Sequence, residues 1–155
     1  EEEKSEQEPL KLWGSVENGK IIKAASPAIT AQCIRVACQD GHMAAVFMKF
    51  KDGCKPSIEQ IKADWAAFRG PAQELELPSA PKQFLHYFEE ENRPQTRLDR
   101  DIEGGMGVSI GRLREDSIFD YKFVSLSHNT VRGAAGGAVL TAELLCKLGY
   151  IPFKN

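Results

Sequence analysis

The feature that most constrains the fold is the dipeptide Asp40-Gly41, which lies between two strand-like runs, residues 29–38 and 42–50. Asp-Gly accepts the positive φ angles of a two-residue hairpin loop, and apolar residues alternate on both sides of it. The sequence therefore predicts an antiparallel hairpin in which Gln39 pairs with His42 and Arg35 pairs with Val46.

This hairpin would have one apolar face and one polar face, because side chains alternate along a strand. The predicted core face carries Ile34, Val36, Cys38, Met43, Ala45 and Phe47, and the opposite face carries Arg35, Ala37, Gln39, His42 and Ala44. Arg35 and His42 would then point the same way over small alanine side chains, as in a pocket. A solvated sheet face without any function is the alternative that the pattern leaves open.

The remaining patterns predict helices and strands in alternation. Residues 1–9 are either a first helix or a frayed charged tail, and residues 17–19 form a turn. A capping box at residues 57–60 begins an amphipathic helix that ends at Gly70, with Trp65 and Phe68 facing the core. A proline-rich loop (71–81), a strand (84–88), a charged surface excursion (89–103) and two strands (107–114 and 119–128) follow.

A final helix is predicted from Thr130, as its capping residue, through Leu148, with Gly149 ending it. Three glycines in residues 133–138 make its start unusual, because each costs about 1 kcal/mol relative to alanine. Close approach of a ligand and close helix–sheet packing are equally good explanations. The element order predicts a single α+β domain over residues 1–155, a mostly antiparallel sheet with helices on one face.

Composition excludes several functions. A net charge of −2 argues against a nucleic-acid partner that needs a broad basic field. Neither an apolar run long enough for a membrane span nor a secretory signal is visible, and four cysteines without paired spacing indicate reduced thiols, so we expect a cytoplasmic protein. The first residue is not methionine, which leaves room for further sequence upstream.

Acid–base chemistry at His42 is the catalytic hypothesis that the residues themselves support. The histidines at 42, 86 and 128 lack metal-ligand spacing, so no metal is expected, and Cys33 and Cys38 fit small apolar strand residues better than nucleophiles. An imidazole titrates near neutral pH, and the fixed charge of Arg35 suits a carboxylate.

Five motifs spread over the chain resemble the C-terminal half of fungal-type aspartate-semialdehyde dehydrogenase. They are QCIRVACQDGH (32–42), LPSAP (77–81), NRPQTRLDR (92–100), GMGVSIGR (105–112) and LSHNTVRGAAG (126–136). The resemblance implies the substrate-binding and dimerisation domain of that family, and therefore a homodimer.

The resemblance also implies roles for individual residues. Arg35 matches the arginine that holds the substrate α-carboxylate, and His42 matches the general acid–base. Glu1 and Lys4 resemble an acid–lysine pair that contacts the substrate amino group and an anion, although Glu2 or Glu3 are alternatives for the acid. Gln39, on the face of His42, is a further candidate substrate contact, and Asn129 resembles a residue that approaches the nicotinamide.

The departures from the family are equally informative. Met43 and Ala44 stand where a hydroxyl residue and a glutamate are usual, and Ile34 replaces an asparagine. The family's catalytic cysteine and NADP-binding fold belong to the preceding half, so this chain alone is expected to hold no cofactor and to carry out no redox step.

These departures give three hypotheses. The first is a redox-free condensing enzyme of secondary metabolism, a lyase of the fungal Pictet–Spenglerase type, joining an aldehyde to an aromatic amine or amino acid with His42 moving protons. The second is part of a genuine NADP-dependent aspartate-semialdehyde dehydrogenase. The third is an inactive dimerisation partner. The first is the main prediction from the sequence.

Overall fold

The computed structural model describes residues 1–152, which form two compact units that divide between Ala37 and Cys38. The single domain predicted over residues 1–155 stays a prediction, because two compact units can still belong to one folding domain. None of the helices in residues 1–152 has the length and apolar character needed to cross a membrane.

The first unit begins with a helix rather than a frayed tail. Helix α1 (Glu2–Leu12) is followed by a small antiparallel hairpin of strands β1 (Ser15–Glu17) and β2 (Lys20–Ile22). Asn18 and Gly19 make its turn with φ angles of 50° and 73°, the left-handed pair that a tight two-residue hairpin requires. The turn predicted at residues 17–19 is therefore confirmed.

The predicted hairpin across Asp40-Gly41 is wrong. Residues 23–41 contain no strand, and the strand that begins at His42 pairs elsewhere. The backbone N–H groups of Ala31 and Cys33, which a ladder would use, donate instead to the carboxylates of Glu6 and Glu2, at 2.8 Å and 2.7 Å. Side-chain acceptors thus replace the neighbouring strand.

The second unit is built on a four-stranded sheet with the order β3-β6-β5-β4. Strand β4 runs parallel to β5, and the other two pairings are antiparallel. The strands are β3 (His42–Met48), β4 (Leu85–Phe88), β5 (Val108–Glu115) and β6 (Tyr121–Ser127), and the helices are α2 (Ile58–Ala67), α3 (Pro71–Glu74), α4 (Thr96–Asp99) and α5 (Gly136–Lys147). This arrangement confirms an α+β fold with a mostly antiparallel sheet.

Helix α2 begins as the capping box predicts, since the hydroxyl of Ser57 accepts a hydrogen bond from the N–H of Gln60 at 3.1 Å. Its apolar side packs on one face of the sheet, where Ile61 and Trp65 join the cluster around Tyr121. Phe68 does not belong to this core: the helix ends at Ala67, and Phe68 is 47% exposed.

The predicted core face of the hairpin is also wrong. Met43 and Phe47 are 49% and 54% exposed, and Ile34 is 76% exposed. The side chain of Met48 packs against the cluster around Tyr121, whereas those of Met43 and Phe47 alternate to the opposite face of the sheet and remain exposed. The side of β3 predicted to face the core is therefore exposed.

Two segments predicted as irregular contain short helices, α3 within residues 71–81 and α4 within 89–103. The final helix starts as a π-helical turn (Val131–Ala135) and continues as α5, after which Gly149 has a φ of 79°. Thr130 does not cap it, because the N–H of Val131 donates to Nδ1 of His128 at 3.3 Å.

Close contacts explain two of the three glycines at this helix start. A Cβ atom on Gly136 would lie 2.5 Å from the sulfur of Met106, and one on Gly137 would lie 2.5 Å from the carbonyl oxygen of Arg132. A Cβ on Gly133, in contrast, would meet nothing nearer than 3.7 Å. Close contacts therefore account for Gly136 and Gly137 and leave Gly133 open to another explanation.

Candidate functional site

His42 lies at the first position of edge strand β3, opposite Ser127 of β6. Its side chain is exposed and makes no hydrogen bond or ion pair with any other residue in the part of the chain that the structure describes. An accessible imidazole at a strand end has both ring nitrogens free for proton transfer.

Gly41, the residue before His42, is held by groups from three parts of the second unit. Its N–H donates to Oδ1 of Asn129 at 2.8 Å, and its carbonyl oxygen accepts a weak hydrogen bond from Sγ of Cys38 at 3.7 Å. Its φ of 108° is a conformation that favours glycine. A Cβ here would also come within 3.1 Å of Cδ1 of Leu126, which is only 1% exposed.

Helix α4 supplies a second layer around Gly41. Thr96 and Arg100 lie within van der Waals reach of a Cβ at Gly41, and α4 is anchored by the buried carboxylate of Asp99. Burial alone would raise the pKa of Asp99, but the hydrogen bonds from Arg93 and from the N–H of Gln95, with the guanidinium charge, outweigh it and lower that pKa. The carboxylate of Asp99 therefore has a structural role beside the site.

The structure thus brings together two predicted site positions of the second unit, His42 and Asn129. Antiparallel pairing explains why: His42 is opposite Ser127, so the residues just before β3 lie level with those just after β6. Gln39, the third predicted residue of this unit, is exposed in the bend that leads to Gly41 and makes no hydrogen bond with any of residues 1–152.

Glu1, Lys4 and Arg35 belong to the first unit. Glu1 and Lys4 lie at the start of α1, on one face of the helix because they are three residues apart. Glu2 is committed elsewhere, since its carboxylate accepts the N–H of Cys33. Arg35 is exposed, and its guanidinium forms no ion pair within the described residues.

His128 is a buried polar residue that the sequence analysis did not single out. Its Nδ1 accepts the N–H of Val131 and lies 3.2 Å from the hydroxyl of Thr130. Because Nδ1 is an acceptor, the ring proton belongs on Nε2, 3.5 Å from the carboxylate of Asp101. His128 therefore caps the turn that carries Asn129, a role indicated only by its place at a strand–helix junction.

An open cleft of about 450 Å³ in the second unit does not have His42 among its lining residues. It runs between the proline-containing segment 78–81 and the glycine-rich helix start, with Met106, Val131 and Gly136 among its walls. Near it the guanidinium of Arg132 lies 4.3 Å from the ring centre of Phe84, and desolvation lowers the pKa of Arg132.

All four cysteines are free thiols, and no group of three or more His, Cys, Asp and Glu side chains within residues 1–152 could hold a metal ion. Imidazole side chains among these residues can transfer protons, and charged side chains can bind anions and ammonium groups.

Comparison with known proteins identifies the class. Residues 1–132 match the family described as "Semialdehyde dehydrogenase, dimerisation domain". This match covers most of the chain, and the chain therefore belongs to that family.

The similar proteins are more specific. Aspartate-semialdehyde dehydrogenase from Methanothermobacter thermautotrophicus is 47% identical over 147 residues, 94% of this chain and 42% of that protein. The enzyme of that name from Saccharomyces cerevisiae is 45% identical over 149 residues, 94% of this chain and 41% of that protein. The structure of aspartate semialdehyde dehydrogenase with NADP from Candida albicans superimposes with a TM-score of 0.87 at 40% identity, over 97% of this chain and 43% of that one.

The chain spans about two fifths of the length of these relatives, which include archaeal as well as fungal proteins. The main functional prediction from the sequence, a redox-free Pictet–Spengler condensation, is wrong, because the similar proteins carry the name of a dehydrogenase along nearly the whole chain. The apolar residues Ile34, Met43 and Ala44 do not support a different reaction, because single substitutions are expected throughout a chain that is about 45% identical to its relatives.

Proposed function

We propose that this chain is the substrate-binding and dimerisation part of an NADP-dependent aspartate-semialdehyde dehydrogenase, an enzyme of amino-acid biosynthesis. The observation that carries the proposal is identity of 45–47% along nearly the whole chain to enzymes of that name. The family match to a dimerisation domain agrees with it.

His42 is the general acid–base in this proposal. Its exposure at the end of β3, with both ring nitrogens free among residues 1–152, supports a group that exchanges protons with a bound substrate. General acid–base catalysis by a positioned side chain contributes roughly 10²–10⁴-fold to a rate.

Arg35, Glu1, Lys4 and Gln39 bind the substrate in this proposal. The guanidinium of Arg35 suits the α-carboxylate of the amino-acid aldehyde, because a planar fork of donors matches two carboxylate oxygens. Of the three N-terminal glutamates, Glu1 is favoured for the ammonium group, since the carboxylate of Glu2 is already used by Cys33. Lys4 then binds an anion, either a group of the substrate or phosphate. Gln39 adds a neutral polar contact near His42.

Asn129 is the residue of this chain proposed to meet the cofactor. Its Oδ1 already accepts the N–H of Gly41, so its Nδ2 donor suits the carboxamide oxygen of a nicotinamide. The open space at Gly133 fits the approach of a ligand to the same turn. NADP, when bound, supplies the hydride acceptor.

The exposed apolar side of β3 is the proposed contact with a second copy of the chain. Met43, Ala45 and Phe47 lie along it, and the ring of Phe119 extends it at 6.0 Å from that of Phe47. An apolar patch of this kind on an edge strand is unfavourable in water and is typical of an interface.

The function is tested with the full translated product of the gene, by following NADPH formation from aspartate semialdehyde, phosphate and NADP. We expect activity in the wild type and a loss of about 10²–10⁴-fold in kcat for His42→Ala. His86→Asn, which removes an imidazole on β4 at the other edge of the sheet, is the matched control and should retain activity. A folded wild type without this activity would contradict the proposal.

A further inference from the structure

Gly41 has an unusually complete set of constraints for a glycine in a connecting segment. Its N–H donates to Oδ1 of Asn129 and its carbonyl oxygen accepts from Sγ of Cys38, and a Cβ at this position would lie 3.1 Å from Cδ1 of Leu126. Glycine left free populates a wide range of φ and ψ, so the contacts decide the conformation here. The strongest of them is the 2.8 Å hydrogen bond from its N–H to Oδ1 of Asn129.

The conformation of Gly41 determines where the imidazole of His42 points. The two residues share a peptide bond, so a rotation about φ or ψ of Gly41 swings the first residue of β3 and its side chain. A misplacement of about 1 Å in a catalytic group can cost about 10²-fold in rate. Holding Gly41 therefore has a direct kinetic consequence if His42 moves the proton.

Asn129 is well suited to this task. It lies in the turn directly after β6, and the pairing of His42 with Ser127 brings that turn level with Gly41. The turn is itself fixed, because the buried ring of His128 accepts the N–H of Val131. The short amide side chain thus extends from a rigid base.

We propose that Asn129 is a positioning residue for His42: its Oδ1 holds the N–H of Gly41 and so fixes the backbone that aims the imidazole. The inference rests on the proposed function, in which His42 is the general acid–base. It adds a role that is separate from contact with a nicotinamide, since the first uses the oxygen of the amide and the second its nitrogen.

Two substitutions separate these roles in the full translated gene product. Asn129→Ala removes both atoms, whereas Asn129→Asp keeps an acceptor oxygen and removes the Nδ2 donor. We expect Asn129→Ala to lower kcat about 10- to 100-fold. Both variants lack the Nδ2 donor that is proposed to meet the nicotinamide, so a rise in KM for NADP should be shared by the two. Asn129→Asp should keep kcat within a few-fold of wild type, compared at the plateau of each pH profile because a new carboxylate raises the pKa of nearby imidazoles.

Asn92→Ala, the same replacement at an exposed asparagine whose side chain makes no hydrogen bond within residues 1–152, is the control and should leave kcat unchanged. The inference is overturned if Asn129→Asp loses as much kcat as Asn129→Ala, or if Asn129→Ala raises KM for NADP and leaves kcat intact. An inactive wild type would instead overturn the proposed function, which keeps the two failures distinguishable.

Hydrogen exchange measured by mass spectrometry gives a readout independent of catalysis. Peptides that contain Gly41 should exchange faster in Asn129→Ala than in wild type, and Asn129→Asp should restore slow exchange. Equal exchange in the wild type and Asn129→Ala would show that the hydrogen bond does not hold this backbone, and would overturn the inference.

Discussion

The two compact units of the chain are stabilised in different ways. The first unit, residues 1–37, contains no buried residue. Its irregular segment, residues 23–37, is attached to α1 by the carboxylates of Glu2 and Glu6. The second unit contains both clusters of buried apolar side chains and the ion pair of Arg93 with the buried Asp99. The proposed acid–base residue, His42, therefore belongs to a unit with an apolar core. The proposed carboxylate-binding residue, Arg35, belongs to a unit held by polar contacts.

The largest difference between the units should appear in their response to a deleted side chain. Leu126→Ala in the second unit should reduce the free energy of unfolding of this chain by about 2–5 kcal/mol, because Leu126 is 1% exposed and a cavity would remain. Ile34→Ala in the first unit should change it by less than about 0.5 kcal/mol. Denaturation with urea measures both, and a large effect at Ile34 would contradict the comparison.

Exposed apolar side chains should also differ between the units in their effect on assembly. Phe47→Lys, on the proposed interface of the second unit, should weaken self-association of the full gene product by at least about tenfold, because it buries a charge in an apolar contact. Val16→Lys, on the hairpin of the first unit, is the matched control, since Val16 is 74% exposed. Analytical ultracentrifugation distinguishes the outcomes, and an unchanged dimer in Phe47→Lys would place the interface elsewhere.

The carboxylate contacts of the first unit can be broken one at a time. Glu2→Ala should speed hydrogen exchange of the Cys33 amide by about fivefold, because a hydrogen bond of this kind contributes roughly 1 kcal/mol. Glu3→Ala is the control, because Glu3 is exposed on the same helix and accepts no bond from the irregular segment. Equal exchange rates in both variants would mean that other contacts hold residues 29–36.

The smallest predicted effect is the dependence of stability on pH, and it is expected in the second unit. Lys122 and the N–H groups of Phe119 and Ile118 hold the pKa of Asp116 well below its ordinary value of 3.8. The stabilisation is complete above that ordinary value and is lost as pH falls below it, because protonation removes the charge that these donors bind. Asp116→Asn should therefore flatten the decline of the urea midpoint below pH 4, and an unchanged slope would contradict this assignment.

Local signals predicted part of this fold correctly. The capping box at Ser57 begins α2, Asn18-Gly19 makes a tight turn, and residues 108–115 and 121–127 are neighbouring antiparallel strands. Each depends on residues that are close in sequence, and for such features the chemistry of a few side chains is decisive.

Long-range pairing was the part that sequence reasoning could not supply. Asp40-Gly41 suits a hairpin, yet β3 pairs with β6, and Met43 and Phe47, predicted to face the core, are exposed. The site shows the same limit. His42 and Asn129 were candidates separately, but the hydrogen bond from Gly41 to Asn129 depends on a strand register that no local pattern contains.

The pairing of β3 with β6 also bears on how the gene can change. Gly41 and Asn129 are 88 positions apart, yet their distance in space depends only on the paired stretches that begin at His42 and end at Ser127. A one-residue insertion or deletion within either strand would separate the two groups and turn His42 to the opposite face of the sheet. Changes of length in the loops between these strands leave the alignment untouched. Length variation among related genes should therefore concentrate in those loops and avoid both strands.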